Sequence, residues 1–459
     1  DRPHRSFLVT NREVSEEVCR AIDDLRRSWR QNGMPDREFQ TITRGQLLTW
    51  AQELGRDLWP SELGDAKGLL ELFLLPGTGL LPDAQFARLL EQTLALNDDS
   101  LSQPDSCRRL ASAALLTSIA TTPFVEKQNH VAEVHAWGLY LGYLCATVEK
   151  RALSASDYAA ELELAVDAIA ACLEALAAEV VTRSAQGHME LTEGDSAIDF
   201  AHLFYRARVT MLVGYLSALA LSCMEHLGEV QVAGVPCTGF ASWLADFIRR
   251  NWRFVWLWGE GATPHLLAAY WFLHAFGRPG EARDVLASTI RGVLQASHGE
   301  RSMGLPSVYD TPEEAMEQRL GLPSGGPPAS LRRQSHVLEG LLHLFVRLNY
   351  KQAAKVRWPE FTRFTLRSYR PSEPWRFFLW RDSETGECSD VLPPRQQKWE
   401  ALRTAALDSD GTCIPPVLRA RPELVLLLAQ VYPHRLGSPV MRWLDTAFSE
   451  QRRRCRGLA

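Results

Sequence analysis

The sequence predicts an all-α protein: an irregular helix-hairpin array, α-solenoid-like or a multi-helix bundle, around a buried central helix, with a less regular C-terminal region. Three observations predict it. Apolar residues recur every three or four positions in one segment after another, while sustained period-two alternation is almost absent. Short clusters rich in Pro, Gly, Asn and Asp separate these segments. Between Arg208 and Glu225 the chain reads VTMLVGYLSALALSCM, sixteen residues with no formal charge. A helix that is apolar on every side is buried on every side. Sixteen helical residues rise ~24 Å, less than the ~30 Å hydrocarbon layer of a bilayer. With Arg206, Arg208 and Glu225 flanking it closely, the stretch reads as a core helix within 195–226 and no membrane span is expected.

The elements follow in order. Thr10 and Glu13 have the spacing of a capping box, and Val14, Val18, Ile22, Leu25 and Trp29 then mark one apolar face. Asn32-Gly33 stops that helix. A second helix is expected over 44–54, and leucine-rich helices near 61–75, 83–96 and 104–120. Thr122-Pro123 opens a longer one, because proline at the first helical position gives up no hydrogen bond. From 154 to 185, Tyr158, Leu162, Ala165, Ile169, Cys172, Leu176 and Val180 keep a 3/4 spacing in an alanine-rich stretch. This helix is expected to form a long antiparallel hairpin with 195–226. Residues 229–238 suit a short extended piece with no evident partner. From Phe240 to Phe276, eleven aromatics on two helices broken at Gly259 to Pro264 read as large core side chains.

Directly after that region a GRPGEA turn, Gly277 to Ala282, joins two helices and places a small residue at Ala282. The window from Leu266 to Leu294 thereby resembles a tetratricopeptide-type helix pair, which implies a helix hairpin. Glycine and proline then crowd 298–330, interrupted by Thr311-Pro312-Glu313-Glu314, which combines an N-cap, an N1 proline and an N3 glutamate. Helices are expected near 330–349, 393–408, 421–431 and 438–455, and no structure is assigned over 358–394. Four regions result: an N-terminal helical region 1–122, a central core 123–298, a loop or linker 299–330, and a C-terminal helical region 331–459.

At 459 residues with 46% hydrophobic content the chain has ample material for more than one core. A net charge of −5 argues against a wholly basic nucleic-acid binder. Nine scattered cysteines form no C-x-x-C pair, which excludes a zinc ribbon or thioredoxin-like motif and suits a reducing, cytoplasmic setting.

Two constellations are candidates for function. From Arg347 to Arg381, nine basic residues are opposed only by Glu360 and Glu373, a local +7. Arg357, Arg363, Arg367, Arg370, Arg376 and Arg381 interleave with aromatics that include Trp375 and Trp380. Guanidinium plus aromatic surface suits nucleic acid or an acidic partner. If the aromatics are core and the arginines pair with nearby acids, the window is only a solvated face. The second constellation is metal-like. His336, Glu339 and His343 stand at i, i+3 and i+7, and Asp199 and His202 at i, i+3 on another helix, as in bundles that hold metal ions. A wet helical stripe explains the same spacing. Glu126, His130, Glu133 and His135 crowd another helix start, and Glu126 and His130, at i and i+4, read as a surface pair.

No Walker-type loop, dinucleotide glycine fingerprint, G-x-S-x-G or H-E-x-x-H is present. The leading expectation is therefore a helical protein-interaction scaffold or subunit acting through its surface, more a binder than an enzyme. Another protein is the expected partner and no cofactor is expected. A nucleic-acid-contacting subunit using 347–381 is the first alternative, and a helical metal-dependent enzyme the second.

Overall fold

The computed structural model describes residues 5–9, 14–34, 38–42, 46, 49–50, 66–185, 199–223, 231–297, 304–320, 333–378, 386–409 and 411–457. Contacts divide the chain into two units, Asp1–Lys67 and Gly68–Ala459. The larger unit spans both boundaries expected near 122 and across 299–330.

The small unit adds one pair of short strands to its helix. Strands β1 (Arg5–Val9) and β2 (Glu38–Ile42) pair in parallel, Arg5 opposite Glu38 and Val9 opposite Ile42. Helix α1 (Glu16–Gln31) is the crossover that a parallel pair requires. Its N-cap is Ser15, whose hydroxyl accepts from the Val18 N–H; Thr10 and Glu13 lie outside the described residues. Arg26 fastens the helix to the sheet, its Nε and Nη2 donating to the Phe39 carbonyl at 3.1 and 2.7 Å. Most of the expected helix 44–54 falls outside the described residues.

The larger unit is the multi-helix bundle that the sequence predicts. It begins with α2 (Ala66–Phe73), α3 (Asp83–Leu94), α4 (Gln103–Glu126), α5 (His130–Arg151), α6 (Ala155–Ala185) and α7 (Asp199–Cys223). Pro123 lies in the last turn of α4 and opens no new helix. The break falls at 127–129 instead, where Gln128 has φ 54° and the Asn129 side chain caps α5 by accepting from the Ala132 N–H. Then come α8 (Cys237–Asn251), α9 (Thr263–Ala275), α10 (Pro279–Ala296) and α11 (Pro312–Arg319). Both halves of the capping box expected at Thr311 and Glu314 are formed.

The uncharged segment is enclosed: Val209 to Leu221 on α7 is buried except at Leu212. It is not alone at the centre. Ala132–Val148 on α5, Thr263–Leu273 on α9 and Leu424–Val431 on α15 (Pro422–Val431) are also buried throughout. The expected hairpin partner is corrected as well. Helix α7 packs chiefly on α9, and α6 lies mainly on α5. The physical reason is that α6 carries one apolar face and needs one partner, whereas α7 needs neighbours on all sides. Helix α15 packs against α5, α7 and α9 together. Its approach to α5 depends on Gly138 and Gly142, where a β-carbon would stand 2.7 Å from the Val431 Cγ2 and from the Tyr432 hydroxyl. That hydroxyl donates to the Leu139 carbonyl at 3.1 Å.

Two further stretches of strand appear. Residues 231–232 (β3) and 235–236 (β4) pair with each other across Ala233 and Gly234, both at positive φ, so the extended piece finds its partner within itself. In the region left unassigned, β6 (Thr365–Pro371) pairs antiparallel with β7 (Gly386–Val391) and, at Thr365 and Leu366 only, parallel with β5 (Gln334–Ser335). Helices α12 (Leu338–Arg347), α13 (Lys351–Phe361), α14 (Trp399–Leu407) and α16 (Ser438–Gly457) complete the unit. No helix among the described residues is long and apolar enough to cross a membrane.

Candidate functional site

The basic window is dispersed by the fold. Arg347 is nearly buried and ties α12 to α16, with Nε donating to Asp445 Oδ2 at 2.5 Å, Nη2 to Thr446 at 2.7 Å and Nη1 to the Ala406 carbonyl at 3.0 Å. Arg357 pairs with Glu360 on α13 at 3.0 Å, and Arg376 with Glu373 at 3.2 Å. Trp375 is buried between two cations, Lys150 Nζ 4.5 Å from its ring centre and the Arg376 guanidinium 4.4 Å. Phe361 and Phe364 are core residues. Arg363 is exposed. Arg367 pairs with Asp390 at 3.0 Å across the β6–β7 ladder and donates to the Gln334 side chain. Arg370, further along β6, is exposed. Trp380 and Arg381 lie outside the described residues.

The histidines do not share a helix face. Helix α12 starts at Leu338, whose N–H donates to Ser335 Oγ, so His336 precedes it. The His336 N–H donates to Glu260 at 3.0 Å, and its ring meets Tyr309 edge-on. His343 faces Ser438 Oγ at 2.8 Å. Burial first, then nearby arginines, pushes both imidazoles down to about 4, so both are neutral at pH 7. Glu339 lies with His336 on the wall of a groove described below. Asp199 and His202 fall in the first turn of α7, and their side chains are outside the description. Among the described residues no group of three or more His, Cys, Asp or Glu is placed to hold a metal ion.

What the fold does bring together is a groove and, behind it, a polar chamber. The groove, about 840 Å³, runs between β6, the 408–415 loop and the corner joining α15 to α16. Arg367 to Ser372 line it in unbroken succession, and Arg435 and Arg442 face it from the opposite side. Arg435 is 3% exposed and stacks over the Tyr369 ring at 4.6 Å. Four arginines face Glu149, Glu339 and Asp408, so the lining carries a small positive excess. β5 covers β6 only at Thr365 and Leu366, so the stretch that lines the groove is a strand edge.

The chamber, about 30 Å³, lies among the buried helices. Asp83 reaches it from the first turn of α3, His135 from α5, His265 from α9, Gln430 from α15, and Tyr309 from the segment before α11. Each has a buried polar atom with no hydrogen-bond partner: Asp83 Oδ1, His135 Nε2, His265 Nδ1, both ends of the Gln430 amide, and the Tyr309 hydroxyl. Buried polar atoms are rarely left so. Asp83 Oδ2 stands 3.6 Å from His135 Nδ1. Burial drives the His265 imidazole down to about 3, which keeps it neutral. Pro433 and His434 border both spaces, and His434 stacks on Tyr309 at 5.2 Å.

His135, one of the four residues that crowd the start of α5, is 8% exposed and faces Asp83. Asp83, His265, Tyr309 and Gln430 form no motif and are missed by sequence reading. Their signal is subtler. His265 and Gln430 are isolated polar residues inside apolar runs, HLLAAYWFL and LVLLLAQV.

Beside this geometry the comparisons with known proteins add no relative: no protein-family model, no curated protein and no solved structure matches the chain.

Proposed function

We propose that this is a helical binding protein that receives an extended, acidic segment of a partner protein in the groove beside β6. One observation carries the reading: six consecutive residues, Arg367 to Ser372, line a groove that Arg435 and Arg442 face from the other side. A strand edge offers main-chain donors and acceptors to an added strand, and guanidinium groups offer carboxylates bidentate partners. A volume of about 840 Å³ is within the range of specific ligand sites. Protein is favoured over nucleic acid because Phe361, Phe364 and Trp375 are buried, and the aromatics of that window that line the groove, Tyr369 and Phe377, already have the Arg435 guanidinium against their rings.

Fluorescence anisotropy with a labelled ten-residue peptide alternating Glu with Val tests this, using an oligothymidine of similar charge as the competitor. The peptide is expected to bind, to weaken with salt, and to bind poorly once alternate residues are replaced by proline, which cannot complete a ladder. Oligothymidine binding more tightly than the peptide, or proline substitution without effect, overturns the reading.

A further inference from the structure

The chamber behind the groove has a chemistry of its own. Asp83 and Asp310 both line it, and no lysine or arginine does. Asp310 is engaged, its Oδ2 accepting from the Ser307 N–H at 2.6 Å. Asp83 is only half engaged: Oδ1 has no hydrogen-bond partner, and Oδ2 stands 3.6 Å from His135 Nδ1, within ion-pair range but too far for a hydrogen bond. Three more atoms able to accept, His135 Nε2, His265 Nδ1 and Gln430 Oε1, are also unpartnered. Their side chains are deeply buried: His265 and Gln430 are 2% exposed and His135 8%. Two aromatic residues complete the lining, Trp258, with its ring centre 5.8 Å from that of His265, and Tyr309. A carboxylate, several unpartnered polar atoms and aromatic rings, with no lysine or arginine among them, is a surrounding that an ammonium group selects.

We propose that the chamber is a binding site for a small protonated amine, ammonium or a short primary alkylammonium. Its N–H donors satisfy Asp83 Oδ1 and the facing acceptors, and its charge answers the carboxylate. His265, held neutral by burial, does not supply that charge itself. A metal ion is disfavoured by geometry, since no three ligating side chains among the described residues converge on one point. The size agrees with a short amine, because about 30 Å³ holds one or two water-sized groups and not a drug-sized ligand. The site is separate from the groove and requires no partner protein.

The test follows thermal unfolding of the whole protein at pH 7.5 and fixed ionic strength. The probes are methylammonium, sodium, acetate and tetramethylammonium, the last a cation with no N–H to donate. Methylammonium alone is expected to raise the midpoint saturably, as a ligand of the folded state does. In Asp83→Asn its apparent affinity is expected to fall about tenfold or more, and in Gln430→Leu by a smaller factor. Saturation-transfer NMR on the methylammonium methyl group gives a readout on the unaltered protein alone. Transfer is expected, and ammonium but not sodium is expected to abolish it. A sodium effect equal to that of methylammonium, a saturable acetate effect, or no transfer to methylammonium overturns the proposal.

Discussion

Gly214 on α7 and His265 on α9 stand so close that a β-carbon on the glycine would lie 2.4 Å from the imidazole Nδ1 and 2.7 Å from the His265 Cα. The tightest helix pair of the core thus meets at a missing side chain, and that absence fixes where His265 points. Gly214→Ala forces α7 and α9 apart against backbone as well as side chain. The expected loss of stability is about 1–3 kcal/mol or more, the range for over-packed cores. Urea denaturation checks it, and an unchanged midpoint would contradict the packing described here.

Asp445 is the acceptor for three groups from two other helices. Arg347 Nε lies at 2.5 Å, Trp271 Nε1 at 3.1 Å and the Tyr270 hydroxyl at 3.3 Å. Removing it leaves a nearly buried guanidinium without its counter-charge. Asp445→Ala is expected to destabilise by about 3–5 kcal/mol. The double variant with Arg347→Met is expected to lose less than the sum of the singles, because the second change removes the orphaned cation. Additive losses in a double-mutant cycle would mean that the pair does not act as a unit.

Glu260 gives a pH signature. Burial raises its carboxyl from 4.5 to about 7, against the lowering effect of its hydrogen bonds to Ser335 and His336. Between these values the folded state holds a proton that the unfolded state has released. Stability therefore falls as pH rises from about 4.5 to 7 and stays lowered above that, by a few kcal/mol at most. Glu260→Gln imitates the protonated form: its amide can donate to Ser335 Oγ and its oxygen can accept the His336 N–H. The variant is expected to match the wild type near pH 4.5 and to exceed it at pH 8. His265, His336 and His343, whose folded values are lowered, act oppositely and destabilise as pH falls below about 6.5. Subtracting variant from wild type at each pH isolates Glu260 from them. A difference that does not change between pH 5 and 8 would show that the carboxyl titrates normally.

Arg363 and Arg370 separate the groove from the basic window as a whole. Both are exposed, but only Arg370 lines the groove. Arg370→Glu is expected to weaken acidic-peptide binding about tenfold, and Arg363→Glu to change it by less than about threefold, as a remote charge does when salt screens it. Equal losses from the two reversals would point to a diffuse electrostatic surface.

The helical part of this fold is legible because its signals are local. Helix α6 is buried at Leu162, Ala165, Ile169, Cys172, Leu176 and Val180, the positions that the 3/4 spacing marks after Tyr158, which is half-buried. The Thr311–Glu314 box closes as its four residues dictate. The strands are less legible because their partners are distant: β1 and β2 are five residues each, pair in parallel, and are separated by the whole of α1. Five residues are too few for alternation to stand out. The chamber is less legible still. Asp83, His135, His265 and Gln430 come from four helices spread over most of the chain, and the packing that makes them neighbours is written in Gly138, Gly142 and Gly214 as much as in the polar residues themselves.

The hydrogen bond from Tyr432 to the Leu139 carbonyl joins residues 293 positions apart. Synthesis at about 5–20 residues per second leaves the Leu139 helix without that partner for roughly 15–60 s after it is made. For that interval the Gly138 and Gly142 positions of α5 wait for the segment that will pack on them. Such a nascent chain is a natural client for holding chaperones, and its yield should be sensitive to translation speed well before its finished stability is.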